Sequence, residues 1–451
     1  MTRDVKTANT DTLNADWLVQ QLNPLAEQKQ IRGWCLAYSG GVDSQVLLHL
    51  LSLTKLKITA IYIDHGLQPQ SARWASHCEN QCLQVNIPFR VIKVDAAPKK
   101  GESPEAAARN ARYGAFNEVV EAGMCLLTAQ HQQDQSETVL LQLLRGAGAA
   151  GLAAMPLVAA FAKGWHSRPL LHISQQAILE YAEKYRLSWI EDPSNQQQSF
   201  DRNYLRHSVI PKIQQRWPAL NKTLSIFSEQ QAENAALLEI LAEIDLQTAR
   251  IRRNQLNIEA LKKLSDARLR NALRYWFKNS VPPRAVLQQI IRQMLEASHQ
   301  TSPLVSWGDN EIRRYRNDLY ALKKVDHDPG RIYTWSTLLG ADNSLTIGCL
   351  GIKLQMSQRH AEGAYYLSRD IFDRPLTIRF RLGGERIKPA GRKGHRDLKS
   401  LFQEAAVPPW QRDRIPLLYS GRHLAAVVGY WVEDAFSAKD LGWFIGSEKI
   451  S

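Results

Sequence analysis

Cysteine is scarce in this chain of 451 residues: there are five, Cys35, Cys78, Cys82, Cys125 and Cys349, and no two form a C-x-x-C pair. The scarcity and the odd count argue against a disulfide framework, a zinc ribbon or an iron–sulfur carrier, and fit reduced thiols. Cys78 and Cys82 stand four apart in a helix-spaced segment, where half-buried helix positions account for them better than a shared metal. Long apolar runs are missing too. Ala147 to Ala162 is too short for a membrane span and is broken by Gly148, Gly151 and Pro156, so burial is expected and no membrane contact. The opening MTRDVKTANTDTLNADW lacks the apolar core of a signal peptide, and a cytoplasmic location is the expectation. There is no internal repeat or low-complexity tract. Acidic residues are few relative to basic ones: 44 Asp and Glu against 57 Lys and Arg leave a net charge of +13. A polyanionic partner is expected.

What remains is a folded-protein composition, 44% hydrophobic and 22% charged. At roughly 150 residues per domain the length allows about three domains. β-type runs at Trp34–Tyr38, Ile58–Ile63, Phe89–Val94 and Met124–Thr128 alternate with helix-period segments, among them Val46, Leu47, Leu50, Leu51 and then Ala107, Ala111, Ala115, Val119. The fold class read from this order is α/β, a doubly wound, mostly parallel sheet with its ligand at the carboxyl ends of the strands. From about Leu224 the β runs stop and helical spacing takes over (Leu237, Leu241, Ile244; Leu269, Leu273, Trp276; Val286, Ile290, Met294). After a polar joint near Asp326–Gly330, segments such as LTIRFRL and LAAVVGYWV imply a small α+β C-terminal domain. The expected divisions are 1–215, 224–325 and 331–451.

The stretch LAYSGGVDSQVLLHL places Ser39-Gly40-Gly41-Val42-Asp43-Ser44 between a strand and a helix. Glycines there let the backbone turn and aim N–H groups at an anion, with the helix N-terminus adding its positive end. The loop reads as a phosphate cradle. It lacks the lysine of G-x-x-x-x-G-K-[ST] and does not fit G-x-G-x-x-G. In S-G-G-x-D-S the serine hydroxyls can hold phosphate oxygens and Asp43 can hold Mg²⁺. The bland alternative is a Gly-Gly turn with a capping Ser or Asp.

SGGVDS resembles the pyrophosphate loop of the N-type ATP pyrophosphatases. DHGL (Asp64–Leu67), EAAARNARY (Glu105–Tyr113), HQQDQSET (His131–Thr138), LLRGAG, SRPLL, EDPSN, DRNYLR and the late RKGHRDLKSLFQEAAVPPWQRDRIPLLY together resemble the tRNA(Ile)-lysidine synthetase family, in its longer form with two C-terminal domains. The resemblance runs from about Trp34 to Trp431 and is weakest in the helical middle. It implies a ligase that uses ATP and Mg²⁺ to adenylate the C2 oxygen of the wobble cytidine in a CAU-anticodon tRNA(Ile). The ε-amino group of L-lysine then displaces AMP, and the tRNA changes from Met to Ile identity.

On that resemblance Ser39, Gly40, Gly41, Val42, Asp43 and Ser44 hold ATP with Asp64, His65 and Gly66, and Asp43 binds the metal. Arg109 and Arg112, which share a helix face with Glu105, are expected catalytic residues with Asp43, His131, Asp134 and Glu137. By themselves Glu105, Arg109 and Arg112 more often mark a solvated salt-bridge face, a balance that the family resemblance reverses, and His131, Asp134 and Glu137 could equally be caps and surface charges. One carboxylate of Asp134 and Glu137 is expected to anchor the lysine and the other to take its proton. Where the family usually carries two adjacent aspartates, this chain has Gln133 before Asp134, which leaves the local roles open.

Between Arg374 and Arg422 there are twelve Lys or Arg against four acids, a surface that could track an RNA backbone. Arg202, Arg206, Arg392, Lys393, Arg396, Lys399, Arg412 and Arg414 are the expected tRNA contacts. The interleaved Phe402, Trp410 and Tyr419 are expected singly in the core rather than under bases. Two alternatives stay open: a tRNA thiolation enzyme of the same superfamily, which the missing cysteine pairs disfavour, and a non-catalytic tRNA-binding relative. Oligomeric state is not readable; a homodimer is compatible.

Overall fold

The structure is a computed structural model that describes residues 13–66, 71–98, 101, 103–296, 303–335, 343–359, 366–438 and 442–449. Residues 1–12, and with them most of the segment read for a signal peptide, lie outside the described residues, as does Leu67 of the Asp64–Leu67 motif. The chain divides into two compact units, Met1–Ile240 and Leu241–Ser451.

In the first unit strands and helices alternate. After α1 (Ala15–Lys29) come β1 (Gly33–Ala37), α2 (Val42–Ser52), β2 (Ile58–Asp64), α3 (Ser71–Gln84), β3 (Phe89–Lys93), α4 (Pro104–Val119), β4 (Met124–Leu127), α5 (Gln132–Leu144), α6 (Ala149–Leu152), β5 (Val158–Phe161), β6 (Gly164–Ser167) and α7 (Gln175–Lys184). The six-stranded sheet has the order β3-β2-β1-β4-β6-β5. Its strands are parallel except β5, which closes the edge as an antiparallel hairpin with β6.

The two-residue period of a strand sorts the core into two layers. Trp34 and Leu36 of β1, Tyr38 just after it, Ala60 and Tyr62 of β2 and Leu127 of β4 face a layer built with Leu18 and Leu22 of α1, Leu47, Leu50 and Leu51 of α2, and Ile178 and Tyr181 of α7. Their neighbours Cys35, Ile61, Ile63 and Leu126 face the opposite layer, with Ala115 and Phe116 of α4. Both faces are covered, which is why these strands read as near-continuous apolar runs. The expected doubly wound sheet is present.

The second unit holds the expected helical periodicity in Ile258–Lys262, Asp266–Trp276 and Arg284–Ile290, with Leu269, Leu273, Ile290 and Met294 buried. The region also carries strands that the reading omitted. Arg250–Arg252, Gln255–Asn257, Asp318–Lys323, Asn310–Tyr315 and Leu304–Trp307 form, in that spatial order, a five-stranded antiparallel sheet. They are short and partly charged, and Arg250–Arg252 is exposed throughout, so no apolar alternation marks them.

The α+β character expected beyond the joint is there as well. One antiparallel sheet runs Tyr333–Trp335, Leu376–Arg379, Leu417–Ser420, His423–Val427, Trp431–Val432; a second runs Ser344–Ile347, Ile352–Arg359, Gly442–Lys449, Tyr366–Leu367, Ser437–Ala438. No described helix is long and apolar enough to cross a membrane.

Gly164 is the tightest point of the β5–β6 hairpin. A Cβ there would sit 2.3 Å from the Met124 carbonyl oxygen and 2.8 Å from that of Glu121, both backbone atoms that cannot swing aside. Gly164→Ala should therefore destabilise the first unit by about 1–3 kcal/mol, read as a lower urea midpoint of tryptophan fluorescence. An unchanged midpoint would mean that the hairpin relaxes freely.

Candidate active site

Because β1, β2, β4 and β6 run parallel, their ends deliver Ser39, Asp64–His65, Thr128 and Arg168 to one edge of the sheet. The loop after β1 turns at Gly40, whose φ of 81° lies in the left-handed region. A Cβ on Gly40 would come within 2.8 Å of Cys78 Sγ and Ile190 Cδ1, and its carbonyl accepts from Ile190 N at 2.8 Å. Glycine is required there for conformation and for space. Gly41 caps α2 without a side-chain hydrogen bond, which leaves first-turn N–H groups for a ligand. The Ser44 hydroxyl donates to the Gly41 carbonyl at 3.0 Å and lies 3.1 Å from Ser39 Oγ, so both hydroxyls line the turn.

At the start of α5, His131 and Asp134 form a reciprocal capping box. His131 Nδ1 accepts from Gln133 N at 3.2 Å, and Asp134 Oδ2 accepts from His131 N at 3.1 Å. With Nδ1 an acceptor, the proton of the neutral ring is on Nε2. That atom sits 3.7 Å from Asp43 Oδ1 and 3.6 Å from Asp134 Oδ2. Asp43, His131 and Asp134 are thus brought together across helices α2 and α5.

Glu137, one turn further, is fully buried. Its Oε2 accepts from Arg202 Nε at 2.8 Å and Arg206 Nη2 at 2.9 Å, and its Oε1 from Arg206 Nε at 2.6 Å. Arg206 Nη2 also reaches Asp134 Oδ1 at 2.9 Å. The two arginines come from α8 (Asp201–Tyr204) and the π-helical turn Leu205–Val209 that follows it. They were expected on the RNA; the structure commits them to these carboxylates.

The two aspartates differ in charge environment. Burial pushes the Asp43 carboxyl above its ordinary value; Asp134 adds to this, while His131 and Arg206 oppose it. Burial acts on Asp134 as well, but His131, Arg202, Arg206 and the His131 N–H hold it below the ordinary range. Asp43 Oδ1 is buried without a hydrogen-bond partner, which suits a cation. Among the described residues no three His, Cys, Asp or Glu form a metal cage, but Mg²⁺ needs only one or two carboxylates when phosphates supply the rest.

On the other side of the edge, Asp64 Oδ1 accepts from Gly66 N at 3.0 Å, and His65 Nε2 faces Arg112 Nη2 at 3.4 Å. Burial, then Arg112, keeps His65 below its ordinary pKa, against Asp64. Arg109 lies over the Tyr113 ring, 4.9 Å from its centroid. Two residues missed by the sequence reading stand beside them, His166 and Arg168. The SRPLL motif that contains Arg168 was noticed, but without an assigned role.

The matches to known families follow the same order along the chain: a PP-loop domain model over residues 15–213, a TilS substrate binding domain model over 256–320 and a TilS substrate C-terminal domain model over 376–444. The chain is 40% identical over 419 residues to a tRNA(Ile)-lysidine synthase of Coxiella burnetii, covering 91% of each. It is 37% identical over 416 residues to one of Methylococcus capsulatus, covering 89% of this chain and 92% of that one. A third, from Yersinia pseudotuberculosis, is 38% identical over 435 residues, covering 93% and 94%. The chain belongs to the tRNA(Ile)-lysidine synthase family.

In this family member the late basic residues are not equivalent. Lys393 and Lys399 are exposed, whereas Arg392 and Arg396 both pair with Glu404, at 2.9 and 3.1 Å. Arg414 is half-buried. Arg412 corrects the expectation of a surface contact: it is buried, with Nε donating to the Val407 carbonyl at 2.9 Å, so its charge closes a turn. Phe402 and Trp410 are buried in the core.

Asp43 yields a signed prediction. A raised folded-state pKa means that ionised Asp43 costs stability above its ordinary value of 3.8. Asp43→Asn should raise the melting temperature at pH 7, and the gain should fade as pH falls below about 4, where the carboxyl is protonated in both states. Pyrophosphate release should drop by roughly 10²–10³-fold or more. Lower stability of the variant at pH 7 would contradict the reading.

Proposed function

We propose that the chain ligates L-lysine, through its ε-amino group, to C2 of the wobble cytidine in tRNA(Ile) with a CAU anticodon, by way of an adenylated tRNA, releasing AMP and diphosphate. The observation that carries this is the meeting of the Ser39–Ser44 loop with His131 and Asp134 at one sheet edge, in a chain that matches lysidine synthases over most of its length. We assign 1–215 to catalysis, 224–325 and 331–451 to tRNA binding, and the cytoplasm as its location.

The loop N–H groups, with Ser39 and Ser44, hold the ATP phosphates against the helix dipole. Asp43 Oδ1 would hold Mg²⁺, whose charge, when bound, neutralises the departing diphosphate. His131 presents Nε2–H toward the space between the two aspartates, where it can donate to an oxygen that gains charge. Glu137 positions Arg202 and Arg206. It was expected to anchor lysine or take its proton, but it is fully buried and accepts three hydrogen bonds from two guanidinium groups, which fits positioning better than either role.

Asp134 is the better candidate for the amine. Lysine arrives as an ammonium, its pKa near 10.4 lying about 3.4 units above neutral pH. A carboxylate held ionised, as Asp134 is, can receive that cation. Only the free amine has a lone pair to attack C2, so one proton must leave before the C–N bond forms and AMP departs with the C2 oxygen; a second proton leaves the nitrogen afterwards, when it is far more acidic and a weak base suffices.

Thiolation is the weaker reading. Cys35, Cys78, Cys82 and Cys125 are buried, and burial pushes their thiols up to about 11 for Cys35 and about 12 for the others. Such thiols are poor nucleophiles at neutral pH.

Incubation with CAU-anticodon tRNA(Ile), ATP and labelled lysine, followed by nucleoside mass spectrometry, should yield lysidine; a thionucleoside or no product refutes the proposal. Asp134→Asn should accumulate adenylated tRNA in a quench experiment. Glu137→Gln should lower stability by about 3–5 kcal/mol, because two guanidinium groups lose their shared counter-charge, and should impair both steps together. If Asp134→Asn blocks adenylation instead, Asp134 serves the nucleotide.

A further inference from the structure

Arg168 lies behind α4, whose Arg109 and Arg112 add two more cations. Arg168 is 7% exposed. Its Nη1 donates to the Pro156 carbonyl at 2.7 Å and its Nη2 to His166 Nδ1 at 3.2 Å, while its Nε, also buried, has no hydrogen-bond partner. His166 is buried in turn, and its Nε2 donates to Thr128 Oγ1 at 2.8 Å; Thr128 passes its own hydroxyl proton to Gln130 Oε1. With Nδ1 accepting from Arg168, the imidazole is neutral. Burial, then Arg168 and Arg109, lower its pKa to about 3, so it cannot add or balance charge near neutral pH.

Tyr113 links this buried network to α4, its ring centroid 6.0 Å from that of His166. Arg109 covers the same ring and Arg112 is its chain neighbour. Both guanidinium-bearing residues of α4 are exposed. Arg109 works against the charge of both Arg112 and Arg168, and no carboxylate supports either. Among the described residues none of the three has an ion-pair partner, in contrast to Arg202 and Arg206. A buried guanidinium without a counter-charge is unfavourable in the free protein. The missing anion is therefore expected from a ligand.

The nucleotide's phosphates already have a cradle at α2, whose side chains pack on the opposite face of the sheet from α4. We infer that Arg109 and Arg112 seat a phosphodiester of the RNA substrate, with Arg168 as the buried positive charge behind them that also fixes Tyr113 and Thr128. This rests on the RNA reading of the preceding section. Arg168 does not touch the phosphate. It is a positioning residue whose field strengthens the seat and whose His166–Thr128 chain ties the seat to the turn that carries His131.

The test measures binding of unmodified CAU-anticodon tRNA(Ile) transcript to the full chain without ATP or lysine, as log K against log salt, beside the ATP affinity of the same variants. Arg109→Gln should flatten the slope by roughly 0.7–0.9, the value of one phosphate contact, and Arg168→Gln should weaken tRNA binding by about tenfold with a smaller loss of slope and ATP affinity unchanged. Arg168→Lys should restore the slope. Should Arg168→Gln fail to fold, the exposed Arg109→Gln reads the same slope. An unchanged slope in Arg109→Gln and Arg168→Gln overturns the inference. A fall in ATP affinity with an unchanged tRNA slope does so too, by moving the anion to ATP. Lysidine formation by the wild type tests the function independently, so the two failures are distinguishable.

Discussion

The direction of four strands decides where chemistry can occur in this protein. β1, β2, β4 and β6 are parallel neighbours, so each must end at the same edge and each following segment must begin there. Ser39, Asp64, Thr128 and Arg168 are far apart in sequence and adjacent in space for that reason alone. The two apolar layers that cover the sheet, one under α2 and one under α4, hold this edge from both faces.

Charge is distributed unevenly over that edge. Glu137 is fully enclosed and shared by two arginines, a neutralised arrangement that fixes α5 against the segment Asp201–Val209. Asp43 is the opposite case, a carboxylate with a buried, unpartnered oxygen whose ionisation opposes folding. Arg168 mirrors it with the opposite sign. One uncompensated charge of each sign is thus kept at this edge, at a cost to stability of the kind that functional sites carry. The neutral His166 follows the same logic, since its fixed tautomer conveys direction without adding net charge.

The glycine loop, the βαβ order and the helical periodicity beyond Leu224 were readable because each depends on local spacing: glycine where φ is positive, alternation for strands, three-to-four spacing for helices. The strands of 250–323 were not readable, because short, charged strands carry no such pattern. Arg202, Arg206 and Arg412 show the limit for side chains. All three are basic residues in basic surroundings, yet two pair with carboxylates more than sixty positions away and one closes a buried turn.

By itself the sequence determined the phosphate-binding loop, the alternation that builds the sheet and the set of motifs that marks the family, all of which are written in contiguous residues. Only the tertiary structure decided which charges are paired and which are left over. Pairing depends on distances set by packing across layers, so identical arginines became a clamp at 202 and 206, a structural tie at 412 and an unbalanced charge at 168.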